Sequence, residues 1–182
     1  MWTNPASVPP RQYVCGFCGN LVAPNAGYIH QHLQPWRIYI CSGCDKPTFF
    51  EGEKQTPGVS YGNAVAALPA DVGSLYSEIR SATSINAFTA AVLACRKLLM
   101  HIAVEKGAAA DKPFIEYVEY LADAGYIPPD GKGWVDHIRK KGNEANHEIK
   151  LMSEADAKEL VAFVEMLLKF VYEFTSKLPS GP

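Results

Sequence analysis

The chain has 182 residues, 48% of them hydrophobic and 20% charged, with a formal net charge of −2. That length fits one domain or two small ones, and the apolar content is ample for a packed core. The charge excludes a global field that would gather nucleic acid, so any such contact must come from a local patch.

No stretch approaches the roughly 20 apolar residues that cross a bilayer. Residues 1–10 carry neither the basic start nor the apolar run of a leader, so a cytoplasmic chain with no membrane partner is expected. There is no internal repeat.

Residues 11–56 read as a small β ribbon built on metal. Gln12-Tyr-Val-Cys15 is a strand entering one turn, Arg37-Ile-Tyr-Ile40 a strand entering a second, and Thr48-Phe-Phe50 a strand leaving it. Each turn carries a Cys-x-x-Cys pair, Cys15/Cys18 and Cys41/Cys44, separated by 22 residues. Two residues between thiolates aim both sulfurs at one point, and a second pair completes a tetrahedral shell with no position for water. Cys15, Cys18, Cys41 and Cys44 are therefore expected to hold one structural Zn2+. The competing reading, a pair of redox disulfides, needs a βαβ context that the sequence does not supply. Gly16, Gly19 and Gly43 are expected to allow the tight bends around the sulfurs.

His30 and His32 alternate as on a strand and would share a face, but four cysteines already complete the ligand set. The ribbon also interleaves Tyr13, Phe17, Tyr28, Trp36, Tyr39, Phe49 and Phe50 with Arg11, Arg37, Lys46 and Lys54. Such a mixture can stack bases and touch phosphates, and it is equally what a tiny domain needs for a core. Over residues 11–54 those four cations face Asp45, Glu51 and Glu53, a net of +1, which favours the core reading.

Residues 57–69 read as a linker rich in turn formers. From residue 70 to 178 the period becomes helical. A first helix is predicted from about Asp71 to Ala82. The second, capped by Ser84 and stopped by Gly107, carries the stripe Ile85, Phe88, Val92, Cys95, Leu99 and Ile102. The third starts from Asp111 with Pro113 in its first turn, runs through Phe114, Val118 and Leu121, and stops at Gly125. The fourth includes Trp134, Val135 and Ile138. The fifth begins at Ser153, with Asp156 three residues on, and buries Leu160, Val164, Leu167, Val171 and Phe174. The fold class expected is mainly α: a small N-terminal β zinc ribbon followed by an antiparallel bundle of about five helices. Cys95 lies on a buried helical face as a small hydrophobe. Glu105, His101 and His137 read as surface residues.

Ile138-Arg-Lys-Lys-Gly-Asn-Glu-Ala-Asn-His-Glu148 interrupts the apolar pattern. On a helix Asn143 and His147 share a face and can present an amide and an imidazole to one ligand. Arg139, Lys140 and Lys141 just before them can hold a phosphate. The plainer reading makes these groups a helix end and a solvated face. Arg96, between apolar neighbours, is expected to be half-buried, either paired with an acid of another helix or facing His147 as a functional cation.

In four stretches the chain resembles a known bacterial family: Leu68-Pro-Ala-Asp-Val72 with Tyr76, Ala90-Ala-Val-Leu-Ala-Cys-Arg-Lys-Leu-Leu99, Leu121-Ala-Asp-Ala-Gly-Tyr-Ile-Pro-Pro129, and residues 138–148. These look like the domain of unknown function DUF4145, a helical domain often preceded by a zinc ribbon. The resemblance implies an all-helical domain found alone or attached to restriction-type nucleases in defence contexts. It also implies a relation to the HEPN superfamily, many of whose members are dimeric RNA-cutting enzymes. Active members place an arginine five residues before the histidine that cleaves RNA. Here Gly142 stands at that place, with Arg139 and Lys141 nearby.

The first functional expectation is a non-catalytic binding or adaptor module, homodimeric, recognising RNA, DNA or a protein of an anti-phage defence system. The alternatives are a metal-independent ribonuclease using His147 with Asn143 and Arg139, and a structural scaffold. On the first reading Arg96, Lys140 and Lys141 would be the binding cations.

Overall fold

The structure, a computed structural model, describes residues 2–33, 35–128, 133–134 and 151–178. The chain divides into two compact units: Met1–Ser60 with Thr83–Asn86, and Tyr61–Ala82 with Ala87–Pro182.

The first unit is an N-terminal antiparallel sheet with a separate hairpin. Strands β1 (Ala6–Ser7), β4 (Ala26–Ile29), β5 (Trp36–Ile40), β6 (Pro47–Glu51) and β7 (Lys54–Thr56) form a sheet in the order β1-β4-β5-β6-β7. Strands β2 (Tyr13–Val14) and β3 (Leu21–Val22) pair with each other. The predicted strands at Tyr13, Arg37 and Thr48 are present, and four more surround them. The extra strands are two to four residues long, too short to leave a period in the sequence.

Side-chain alternation divides the five-stranded sheet into two faces. Register pairs Tyr39 with Thr48 and Ile38 with Phe49, so Tyr39 and Phe50 point one way and Ile38 and Phe49 the other. The Tyr39 face is the core: Tyr39, Phe50 and Thr48 are buried there with Val8, Tyr13, Val22, Cys15 and Cys41. Three rings lock it edge to face, with Phe50 5.0 Å from Tyr13 and 5.6 Å from Tyr39 between centroids. The Arg11 guanidinium lies 4.1 Å over the outer side of that cluster, on Phe50.

The second unit contains four helices among the described residues: α1 (Ala70–Ser84), α2 (Phe88–Glu105), α3 (Phe114–Asp123) and α4 (Glu154–Leu168). A π-helical turn over Lys169–Phe174 and a 3-10 turn over Thr175–Lys177 continue α4. The core is one cluster including Val72, Ile79, Leu98, Leu99, Ile102, Val118, Leu121, Val161, Phe163 and Leu167. Of the predicted fourth helix, residues 133–134 are helical and the rest, with Val135 and Ile138, lies outside the described residues. No helix among the described residues is long and apolar enough to cross a membrane.

Helix ends follow the expected chemistry in most places. Ser153 and Asp156 form a reciprocal capping box at the start of α4. Gly107 and Gly125 both take positive φ just past the ends of α2 and α3, where glycine relieves the steric cost of a left-handed residue.

Ser84 is a correction. It is the last residue of α1, and α2 starts at Phe88 with Ala87 as a cap that offers no side chain. Asn86 adopts φ 62° and closes a paired turn, its N–H on Thr83 O and that of Ala87 on Ala82 O. Asparagine, the next-best left-handed residue after glycine, thus ends α1 and leaves Ile85 outside the stripe, 63% exposed.

Two smaller corrections follow. Pro113 is the cap of α3 rather than part of its first turn, and Asp111 lies outside it at φ 59°. Phe174 leaves the α4 stripe and is 46% exposed, because the wider π turn rotates the residues after Leu168 off the α-helical register.

Candidate metal centre

The two cysteine turns have the same backbone closure. In the first, Cys15 N–H bonds to Asn20 O at 2.9 Å and Gly19 N–H returns to Cys15 O at 2.8 Å. In the second, Cys41 N–H bonds to Lys46 O at 3.0 Å and Asp45 N–H returns to Cys41 O at 2.9 Å. The residue four places after the first cysteine is left-handed in both, Gly19 at φ 71° and Asp45 at φ 58°. Gly43, expected to supply that freedom, has an ordinary φ, and Asp45 takes its place. Gly16 is needed for space: a Cβ there would lie 2.3 Å from Gly58 O.

The four sulfurs lie within 4.8 Å of one another. Sγ of Cys15 is 3.8 Å from that of Cys44, and Sγ of Cys18 is 3.8 Å from that of Cys41. A disulfide requires about 2.05 Å, so all four thiols are free. Bonds of about 2.3 Å to a central tetrahedral ion put ligand sulfurs about 3.8 Å apart. The cluster has the dimensions of a filled thiolate shell and can hold a metal ion.

Electrostatics make the same demand. Burial opposes ionisation of Cys15, but N–H groups of Cys18 and Phe17 overcome it and hold the thiol at about 7. Burial raises Cys41, and burial with the neighbouring thiols pushes Cys44 up to about 12. Four sulfurs this close cannot all ionise in the absence of a cation, and a central cation removes that conflict. Cys15 and Cys41 are fully buried, while Cys18 and Cys44 reach the surface.

The two histidines do not join the cluster. β4 ends before His30, whose Nδ1 accepts the N–H groups of His32 and Leu33 at 3.1 and 2.8 Å. The strand-like alternation expected across residues 28–33 therefore breaks at His30.

The other predicted residues separate into two sets. Arg139, Lys140, Lys141, Asn143 and His147 lie outside the described residues, as does His137. Arg96 is described. It is half-buried on α2, and its guanidinium lies 4.4 Å over the Phe114 ring of α3. Burial lowers its pKa. Among the described residues an aromatic ring, not the expected acid, is its partner. His101 is exposed as expected, 3.7 Å from Asp71. Glu105 is exposed as expected, and it also accepts the Tyr172 hydroxyl and pairs with Lys106.

Sequence reasoning missed a set of carboxylates along α4 and the π-helical turn that continues it. Glu154 accepts the hydroxyl of Tyr61, Glu165 accepts N–H and Nδ2 of Asn63 at 2.8 and 3.1 Å, and Glu173 accepts Ala66 N–H at 3.2 Å. These acids fasten residues 61–66 along the helix. Glu154 and Glu165 are 11 residues apart, three α-helical turns, a faint periodic signal that could have found them, whereas Glu173 lies in the π-helical turn and leaves no such period.

Comparison with known proteins gives one family. The model of the domain of unknown function DUF4145 matches residues 77–180, more than half the chain. No curated protein and no solved structure matches.

Proposed function

The chain belongs to the DUF4145 family, and from that premise we propose that it is a zinc-stabilised, non-catalytic binding or adaptor module. The closed sulfur cluster carries this reading. Four protein thiolates at tetrahedral spacing leave no open position at which the metal could activate water or polarise a substrate. The ion holds two turns of chain together, and what it stabilises is a surface. Zinc suits the set because it is redox-inert and takes four sulfurs without geometric preference, while iron is the other metal of tetrahedral sulfur sites.

The resemblance to the HEPN superfamily supports a homodimer that recognises nucleic acid or a partner protein in bacterial anti-phage defence. Gly142 at the place of the catalytic arginine supports binding over cleavage. Losing a charge-stabilising donor from the reaction costs on the order of 3–4 kcal/mol of barrier.

The test is to incubate the metal-loaded chain with a labelled RNA pool containing tRNA, and with single-stranded DNA, beside His147→Ala. Retention without cleavage is the expected result. Cleavage abolished in His147→Ala replaces this reading with a ribonuclease in which His147 is the general acid–base and Asn143 and Arg139 its partners. Failure to retain RNA, DNA or any protein of the same defence system would count against a binding module.

A further inference from the structure

Arg11 and Arg37 line one polar cavity of about 430 Å³ in the first unit, together with Gln12, Tyr39 and Glu53. Side chains alternate along β5, so Arg37 lies on the same face of the sheet as Tyr39, two residues on. Register sets Arg37 opposite Ile29 of β4 and Phe50 of β6. Arg11 comes from outside the sheet, and its guanidinium lies 4.1 Å over the ring of that same Phe50.

The two cations are in unlike situations. Arg11 is engaged: Nη1 donates to Gly52 O at 2.7 Å and Nη2 to Glu53 Oε2 at 2.6 Å. Arg37 is half-buried, and its Nε is enclosed with no acceptor among the described residues. Glu53, the acid in the cavity wall, is held by Arg11. Pro9 O, another acceptor in the wall, already takes the Tyr39 hydroxyl at 3.1 Å. Arg11 and Arg37 against Glu53 leave the cavity a net charge of +1.

An enclosed guanidinium nitrogen without an acceptor is rare in a folded protein. Water can accept from Nε but leaves the charge unmet. An oxyanion does both, because a carboxylate or phosphate meets two N–H groups of the planar guanidinium at once.

Both cations are positioned in advance. β5 is paired on each side, which fixes the backbone that carries Arg37, and Arg11 is held by the Phe50 ring and the Gly52 carbonyl. Binding therefore orders little chain. Glu53 is the movable group: its side chain is 96% exposed, so an incoming anion can displace it from Arg11 into water and leave no buried charge behind.

We propose that Arg37, with Arg11 beside it, binds the phosphate or carboxylate group of a small molecule. The cavity has the size of small-molecule sites, roughly 300–1,000 Å³. A bare phosphate, a few times the roughly 30 Å³ of a water, would fill only part of it. This site stands apart from the binding-module reading, since it takes a small anion on the first unit and needs no nucleic acid or partner protein.

The experiment is isothermal titration calorimetry of the metal-loaded full chain with inorganic phosphate, glycerol 3-phosphate and succinate. Arg37→Gln, Arg37→Lys and Glu53→Gln are compared, each checked for metal content and far-UV circular dichroism. Saturable one-to-one binding of at least one anion is expected, and the tighter of glycerol 3-phosphate and succinate assigns the group as phosphate or carboxylate. Arg37→Gln should weaken binding about tenfold or more. Arg37→Lys keeps the charge but lacks Nε and the planar fork, so it should not restore binding. Glu53→Gln removes the competing carboxylate and should tighten binding about threefold, the size of an exposed ion pair. That exposed position keeps the site testable if the Arg37 variants fail to fold.

Absence of saturable binding for all three anions overturns the proposal, as does binding that folded Arg37→Gln leaves unchanged. Binding that Glu53→Gln does not tighten overturns the pairing of Arg11 with Arg37. Retention of an oligonucleotide with no binding of the small anions overturns this site and leaves the module reading standing. Anion binding with no retention of RNA, DNA or protein supports the site and removes the module reading.

Discussion

The hydroxyl of Tyr172 donates to Glu105 Oε2 at 2.5 Å, tying the π-helical turn after α4 to the last turn of α2. Lys106 completes the group, with Nζ 2.8 Å from Glu105 Oε1 and 4.9 Å over the Tyr172 ring. Burial works against the Glu105 charge, but the Lys106 and Tyr172 donors outweigh it and hold the carboxyl below its ordinary value. A carboxyl lowered on folding stabilises the native state above its unfolded pKa, near 4.3, and loses that contribution as the pH falls through the lower folded value. Tyr172→Phe should cost about 1–2 kcal/mol at pH 7. The gap to the unaltered chain should narrow below about pH 4, as read from urea midpoints across pH.

Metal removal should separate the fates of the two units. Elemental analysis should find one ion per chain, zinc in place of iron if the preparation is colourless. A strong chelator, or Cys41→Ser, should abolish ordered structure in the sheet while the helical circular dichroism persists. The binding free energy of a structural zinc, about 10–16 kcal/mol in small zinc domains, is of the size that decides folding there.

Thiol reactivity should count the ligand set. Four sulfurs are in the cluster, and Cys95 is fully buried on α2, where burial pushes its thiol up to about 12. The native, metal-loaded chain should show almost no fast reaction with a thiol reagent. Chelator with denaturant should release all five cysteines of the sequence. A disulfide would appear as two fewer.

Ser153→Ala should destabilise the helical unit by about 1 kcal/mol, because it removes the N-cap oxygen that takes the Asp156 N–H. The urea midpoint should fall with an unchanged slope. Asp156→Asn should cost less, since an amide oxygen can still accept the Ser153 N–H.

Gly27→Ala should be among the most damaging single changes in the sheet. A Cβ at Gly27 would lie 2.0 Å from Ile38 O, so β4 and β5 would have to separate. Overpacking against a movable side chain costs typically 1–3 kcal/mol, and backbone cannot yield as a side chain does. A cost of about 3 kcal/mol or more is expected, seen as faster metal loss to a chelator at constant pH.

The cysteine pairs, the helix stops at Gly107 and Gly125 and the capping box at Ser153 could be read from the chain alone. Each is a local device whose geometry is set within a few residues. Ser84 was misread for a related reason: the side chain that suits an N-cap also occurs in a last turn, and Asn86 decided between them by closing α1. The exposure of Phe174 had no local sign, because the π turn that displaces it depends on how the end of α4 meets its neighbours. In the sheet, alternation assigns Tyr39 and Phe50 to one face and Trp36 and Phe49 to the other, yet the two sets are chemically alike. Only the packing of the cysteine turns and Tyr13 against the first face makes it the core. The sequence by itself thus determined the four-cysteine cluster and most helix ends, through covalent spacing and backbone preference. The tertiary structure alone decided which aromatic face stays open, and that Arg96 rests on Phe114, because both depend on groups far apart in the chain.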